Sequence, residues 1–446
     1  MWYQGEAVKS PSKLGVTKGV KSMRRLWIQI IIGCFLLLLA ACGSAVNEPE
    51  QPTSTGLPTD DGRNLQENIS AGAVVLYSKQ SENRQFPLLA WPEMPILNQS
   101  EFSAIYGTAL GYQYSGDFAP QLSVDGRYLM VPGIQWQGAG QPAEPEDQST
   151  WLADLSNGEV RELEQRPVYA VWSPDGNQLA YVKDDTLYLE RVNENDGAEG
   201  IFTEPGLSSL FIDWSPDGQQ LALISQAIGE SVDGSYPPIT DTVWLVSTED
   251  NSSQQFGAFP AFPVEHSSRE LQWSPDGSAL LVGMISPNYI VQLDGSQAAL
   301  PEGSKGVAWI PGGEDLLVQQ EGGLVITDQQ GQPIISVSAA EQRVTAWAFS
   351  SNGRYLAYAY AGTEGEATQI AIFDLEKGET ALSGSAPAQT IADLYWTPAD
   401  NALILDDGDH NTPIWAMGLV GAETAEVLIE EGILINVIPK PSTSEQ

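Results

Sequence analysis

Reactive side chains are scarce in this 446-residue chain. It has two cysteines, Cys34 and Cys42, and two histidines, His266 and His410. Both cysteines lie before residue 43, so neither a disulfide framework nor a Cys-based zinc site can be built in the rest of the chain. A His-based metal or acid/base site would have only His266 and His410 to draw on. There is no Gly-x-Ser-x-Gly nucleophile elbow, no phosphate-cradling glycine loop and no Cys/His zinc spacing. These absences predict a chain that is not an enzyme and holds no metal or cofactor.

Basic residues are scarce too, 20 against 58 acidic ones. Six of the basic residues and one acidic residue, Glu6, precede residue 43, which leaves 14 against 57, a net of about −43. Such a surface repels nucleic acid and anionic membranes, and it suits a self-repelling, soluble, monomeric domain.

What the chain has in quantity is a repeat. Trp172-Ser173-Pro174-Asp175-Gly176 recurs unchanged at Trp214 to Gly218 and at Trp273 to Gly277. Pro presets the second position of a type I turn, Asp suits the third (Asp175, Asp217, Asp276) and Gly the fourth (Gly176, Gly218, Gly277). Two residues on, each copy enters an apolar run: 179–182, 221–224 or 280–282. Runs that are apolar throughout, rather than alternating, predict strands covered on both faces. Weaker copies begin at residues 122, 309, 347 and 396. The seven anchors are spaced by 36 to 59 residues and carry four short strands per unit. That pattern predicts an all-β propeller of four-stranded antiparallel blades. Seven anchors predict seven blades. Spare strands at 73–77, 87–91, 103–106 and 433–438 predict closure of the ring by both ends and leave eight blades as the alternative.

These motifs resemble the WD40-like repeats of the TolB-type β-propellers, which also occur in the propeller domains of prolyl-oligopeptidase-like enzymes. The resemblance covers residues 118 to 430. It implies a scaffold or sensor role and says little about the ligand, because this fold hosts many functions.

The N-terminus has its own character. Six basic residues from Lys9 to Arg25 precede an apolar run from Leu26 to Ala41, followed by Leu39-Ala40-Ala41-Cys42. A basic region, a short apolar core and small residues at the cut site predict a secretory signal over 1–41. The run of about 16 residues is shorter than the ~20 that span a bilayer. The last four residues are similar to the lipobox of bacterial lipoproteins, which implies acylation of Cys42 and an extracytoplasmic membrane anchor. Met23 followed by two arginines is a conventional start, so residues 1–22 read as a gene-start artefact. Residues 42–70, rich in Pro, Ser, Thr and acids, predict a disordered tether. The propeller then spans 71–440, with a disordered tail at 441–446.

The 1–2 turns are tight, whereas the long insertions fall between strands 2 and 3 or between blades, and both of those connections emerge on one face. Trp136, Tyr236, Phe259, Phe262, His266, Tyr289 and His410 fall on or beside them and form the candidate binding face. Asp406 to His410 resembles a cation loop in composition but lacks EF-hand spacing, and reads as a solvated turn. The reading is a membrane-tethered scaffold or sensor of the cell envelope that binds a protein or peptide. The alternative is a carbohydrate-binding or carbohydrate-processing propeller.

Overall fold

The computed structural model describes residues 64–440 except 80–87, 95–119, 134–135, 138–140, 143–148, 166, 168, 194–196, 231–238, 262–269, 284–287, 302, 321–322, 340–341, 362–366, 410 and 420–423. The signal region, Cys42 and the strand expected at 103–106 lie outside the described residues, as do residues 441–446.

Within the unit that holds the described residues, successive four-stranded antiparallel meanders follow one another along the chain. Blade 1 comprises Gln121–Leu122, Tyr128–Gly133, Ser149–Asp154 and Glu159–Glu162. Blades 2 to 7 occupy 171–203, 207–261, 270–299, 305–336, 344–386 and 393–429. Blade 8 is assembled from both ends of the domain, with Ala73–Ser78 paired to Ile433–Pro439 on one side and to Leu88–Trp91 on the other. The ring therefore has eight blades, not the seven that the anchors predict. The terminal strands build a blade of their own instead of completing one of the seven.

Eight apolar clusters lie between successive blades and close the circle. Leu179 and Tyr181 face blade 1, whereas Ala180 and Val182 on the same strand face blade 3. Leu129 and Val131 pack on Val74 and Ile435 of blade 8, and Tyr128 and Met130 turn towards blade 2. Each second strand thus serves two seams, which is why its residues are apolar throughout. The last seam, between blades 7 and 8, holds Ile404, Ile414, Val75 and Leu434.

The repeat turn is a hydrogen-bonded unit. Gly176 donates its N–H to the Ser173 carbonyl at 2.9 Å, and the Ser173 hydroxyl donates to Asp175 Oδ1 at 2.6 Å. The same serine oxygen accepts the Gln178 N–H at 3.0 Å, locking the start of the second strand. Ser215 with Asp217 and Ser274 with Asp276 repeat it at 2.6 Å. The fourth-position glycines 126, 176, 218, 277 and 353 have φ of 69° to 72°, where a Cβ is disfavoured. In blade 7 Asp400 takes this place at φ 52°.

A helix, Leu65–Gly72, stands where the tether was expected to run on to residue 70. Asn64 and Glu67 form a reciprocal capping box at its start, and Ile69 is fully buried against blade 7. These two features order a stretch whose composition alone reads as a tether.

Candidate binding faces and buried carboxylates

The antiparallel meander sends the 1–2 and 3–4 turns to one face and the 2–3 and interblade connections to the other. The loop face is uneven because blade 3 is taller than its neighbours. Its strands Gln220–Ile228, Ile239–Ser247 and Ser253–Ala261 have nine residues each, against five in Ala279–Gly283 and four in Tyr289–Gln292 of blade 4. At ~3.3 Å per residue the surplus of four to five residues raises this blade by roughly 13–17 Å. All of the surplus lies on the loop side, since Gln220 pairs with Ser247 at the turn end and Ile228 with Ile239 at the loop end. Gln226 Nε2 donates to Asp241 Oδ1 at 2.8 Å and ties two of the tall strands together. Ile228 at their tip is 70% exposed.

The candidate residues divide. Trp136 lies on the short strand Trp136–Gln137, which pairs with Gln141–Pro142 in a small hairpin inside the 2–3 connection of blade 1. Tyr289 opens the third strand of blade 4 and is half-buried. Phe259 is 3% exposed, its ring centroid 5.4 Å from that of Tyr289. These two meet across the seam of blades 3 and 4, so Phe259 packs the seam and offers no surface to a ligand. Tyr236, Phe262, His266 and His410 lie outside the described residues.

The turn face, despite its tight 1–2 turns, carries two clefts. One of 530 Å³ lies between blades 3 and 4, with Pro216, Asp217, Glu249, Trp273, Asp276 and Leu293 among its walls. The other, of 500 Å³, lies between blades 1 and 2 and includes Arg127, Asp154, Arg161 and Asn193. The 1–2 turns alone would leave this face bare. The 3–4 connections at Leu155–Asn157 and Thr248–Asn251 supply the second walls.

The motif tryptophans knit the seams. Trp214 and Trp273 are 6% exposed, while Trp172 is half-buried. Four indole N–H groups, though not that of Trp273, reach back to the preceding blade: Trp172 to the Gln121 carbonyl at 3.4 Å, Trp214 to Val171 at 3.2 Å, Trp309 to Gln272 at 3.4 Å and Trp396 to Ala348 at 3.0 Å.

Sequence reasoning missed the buried acids. Burial pushes the Asp213 carboxyl up to about 7, opposed by the backbone N–H groups of Trp273 and Trp214. Burial also pushes Asp406 up to about 7, against hydrogen bonds from the Leu434 and Gly408 backbones. Its cross-strand partner Asp393 is raised by burial as well, and burial, with Asp393 and Asp406 adding to it, pushes the Tyr395 hydroxyl up to about 12. Asp406 is therefore a fully buried strand residue, not part of a solvated loop. Asp407 and Asp409 beside it are the turn formers, holding the Thr412 hydroxyl and the Asn411 backbone. Among the described residues no group of three His, Cys, Asp or Glu side chains could hold a metal ion. The signal that could have marked Asp213 is an acid set between Ile212 and Trp214, the one charged residue of the first strand Leu207–Trp214.

These observations define a β-propeller of eight antiparallel blades. Residues 144–227 match the family model of the dipeptidyl peptidase IV N-terminal region. Among curated proteins, subunit I of eukaryotic translation initiation factor 3 from Drosophila mojavensis is 23% identical over 171 residues, 34% of this chain and 51% of that protein. The chain thus spans about half the length of the curated relative it matches. Among solved structures, a eukaryotic initiation factor superposes with a TM-score of 0.52 at 15% identity, covering 84% of this chain and 99% of the other. Dipeptidyl peptidase 4 from Porphyromonas gingivalis superposes with a TM-score of 0.51 at 14% identity, covering 83% of this chain and 62% of the other. At these identities the likeness shows the fold.

The family match corrects the expectation that the chain is not an enzyme. Residues 144–227, from blade 1 to blade 3, point to a peptidase-related family. Only the non-catalytic N-terminal propeller part of that family is matched.

Proposed function

We propose that this chain is a peptide- or protein-binding propeller of peptidase-related descent. On this reading it is held on the extracytoplasmic side of a bacterial membrane by a lipid anchor at Cys42, and it acts as a scaffold or sensor in the envelope. The single observation that carries the binding reading is the tall blade 3, whose three long strands lift an exposed apolar tip, Ile228, above the loop face. A rigid sheet that projects from a ring presents a fixed edge and a preorganised surface, which lowers the entropy lost on binding. The matched family, the N-terminal region of dipeptidyl peptidase IV, favours a peptide among the possible partners. The TolB-type resemblance of the Trp-Ser-Pro-Asp-Gly repeats favours an envelope setting. The acidic balance favours a partner that is neutral or basic and disfavours nucleic acid.

The test replaces residues 229–238, between the two longest strands, with a two-residue Asn-Gly turn and measures partner capture from detergent-solubilised envelope. The expected result is an unchanged thermal transition with loss of the captured partner. Retention of the same partner by the shortened chain would overturn the assignment of binding to this face.

A further inference from the structure

The two clefts of the turn face are alike in size and opposite in charge. The one between blades 3 and 4 holds Asp217, Glu249 and Asp276 and, among its described walls, no basic residue. The one between blades 1 and 2 gathers Arg127 and Arg161, two of the 14 basic residues that follow residue 42. The acids around this second cleft have spent their acceptors. Asp154 takes Arg127 Nε and Nη2 at 3.2 and 2.8 Å and the Ser156 hydroxyl at 2.6 Å. Glu190 of blade 2, itself buried, takes Arg161 Nη1 at 2.7 Å and the Tyr181 hydroxyl at 2.9 Å. Glu159 Oε2 takes the Asn157 amide at 3.0 Å. Donors are what remain. Arg127 Nη1 has no partner among the described residues, and Arg161 Nη2 is buried with none. A buried guanidinium nitrogen left unpaired is costly, and a charged oxygen is its strongest partner.

We propose that this 500 Å³ cleft binds a small oxyanion, the carboxylate or phosphate group of a polar molecule held between Arg127 and Arg161. Its volume is that of a small-ligand site. Each guanidinium keeps one side on a protein carboxylate, Asp154 or Glu190, and has a nitrogen left for the ligand. Both cations are thus placed before the ligand arrives, which limits the entropy lost on binding. The Arg161 side chain is 37% exposed, and a turn of its guanidinium about the Glu190 bond presents Nη2 to the cleft. A sugar fits less well. The Tyr128 ring is buried, with Arg127 over it at 4.7 Å and Trp172 stacked on it at 6.4 Å, so it offers no platform. At about 0.1 M salt, charges more than ~10 Å away are screened, so the acidic balance of the whole chain does not exclude an anion here. The site lies on the turn face and is independent of partner binding at blade 3.

Isothermal titration calorimetry on the full chain tests this with succinate, inorganic phosphate and, as the uncharged control, succinamide. Succinate or phosphate is expected to bind and succinamide is not, and the tighter of the two identifies the group. Two exposed wall positions give the sign without disturbing either arginine. Glu159→Gln removes a charge that opposes the ligand and should tighten binding about fivefold. Asn157→Asp adds such a charge and should weaken binding about fivefold. Arg161→Lys keeps the positive charge but loses the planar fork, and should weaken binding by at least about tenfold. The site is overturned if neither oxyanion binds or if succinamide binds as well as succinate. It is overturned equally if Glu159→Gln and Asn157→Asp, both folded, leave the affinity unchanged.

Discussion

The guanidinium of Arg354 meets the carboxylate of Asp374 at 3.0 Å and lies 5.2 Å over the ring of Tyr355. Arg127 repeats this in blade 1, at 2.8 Å from Asp154 and 4.7 Å over Tyr128. In both blades the arginine follows the turn glycine and the aspartate ends the third strand, so the pair staples the first hairpin to the next strand. Burial alone would raise Asp374, but the Arg354 hydrogen bond and the Lys377 backbone outweigh it and hold the carboxyl below its ordinary value. Asp374→Ala is expected to lose about 1.5–3 kcal/mol, the usual range for hydrogen bonds to charged groups. Because the folded pKa is depressed, this contribution is present above the ordinary carboxylate range and disappears as pH falls below it. Arg127→Ala should destabilise less than Arg354→Ala, since the Arg127 side chain is 44% exposed and that of Arg354 14%. Urea melts at neutral pH and near pH 3 check both statements, and an unchanged midpoint for Asp374→Ala at neutral pH contradicts them.

The blades that could be read in advance are those whose first two strands are consecutive in the chain. Trp172 to Gly176 and its copies write the turn, the seam tryptophan and the buried second strand in one short stretch. Blade 8 escapes this reading because Ile433–Pro439 and Ala73–Ser78 come from opposite ends, so no Pro-Asp-Gly turn joins them. The height of blade 3 was visible only as the longest anchor spacing, the 59 residues from 214 to 273. The inward packing of Phe259 on Tyr289 was not visible at all, since an aromatic beside a loop has the same local sequence whether it faces the seam or the solvent. Asp213 and Asp406 were hidden for a related reason. With 58 acidic residues in the chain, one more acid carries no signal until the fold shows which are buried.

The tryptophans allow the seam hydrogen bond to be separated from packing. Trp214 and Trp273 are equally buried, but only Trp214 donates from its indole, to Val171 at 3.2 Å. Truncating either one to Ala is expected to cost about 3–5 kcal/mol. Replacement by Phe keeps most of the ring and removes the donor, so Trp214→Phe should exceed Trp273→Phe by about 1 kcal/mol, the net value of one hydrogen bond. Equal losses in the two Phe variants, measured by denaturant unfolding, would remove the indole bond as a source of stability.

Ring closure should respond to pH through Asp406. Its Oδ2 accepts the Leu434 N–H at 2.9 Å and so holds the closing strand of blade 8 to blade 7. Its folded-state titration is lifted to about 7 by burial, with Asp393 and Asp407 adding to the rise. A raised carboxylate gives stability that is full below the ordinary value and is lost as pH climbs through the folded one. The thermal transition should therefore fall between about pH 4 and about 7 and level off above that. Asp406→Asn, which keeps an oxygen for the Leu434 N–H, should flatten that part of the curve. Asp213 sits on a different seam, so the flattening by Asp406→Asn and by Asp213→Asn should add. A native-like slope in Asp406→Asn assigns the pH response to other groups.

The proposed membrane anchor rests on one residue and is tested there. Leu39-Ala40-Ala41-Cys42 follows a basic region and a short apolar run, and the lipobox resemblance implies cleavage before Cys42 and acylation of its thiol. A single acyl chain gives marginal, reversible membrane binding, on the order of 10⁴ M⁻¹, so stable anchoring takes more than one chain. Cys42→Ser is expected to abolish both fatty-acid labelling and the shift to the processed size, releasing the propeller from the membrane fraction. Cys34→Ser should leave labelling and processing intact, because an anchor there would leave the apolar residues 35–41 exposed at the new N-terminus. Since Cys34 and Cys42 are the only thiols in the chain, labelling of the two single variants is unambiguous. Label kept by Cys42→Ser and lost by Cys34→Ser would move the anchor, and label kept by both would end the thiol assignment.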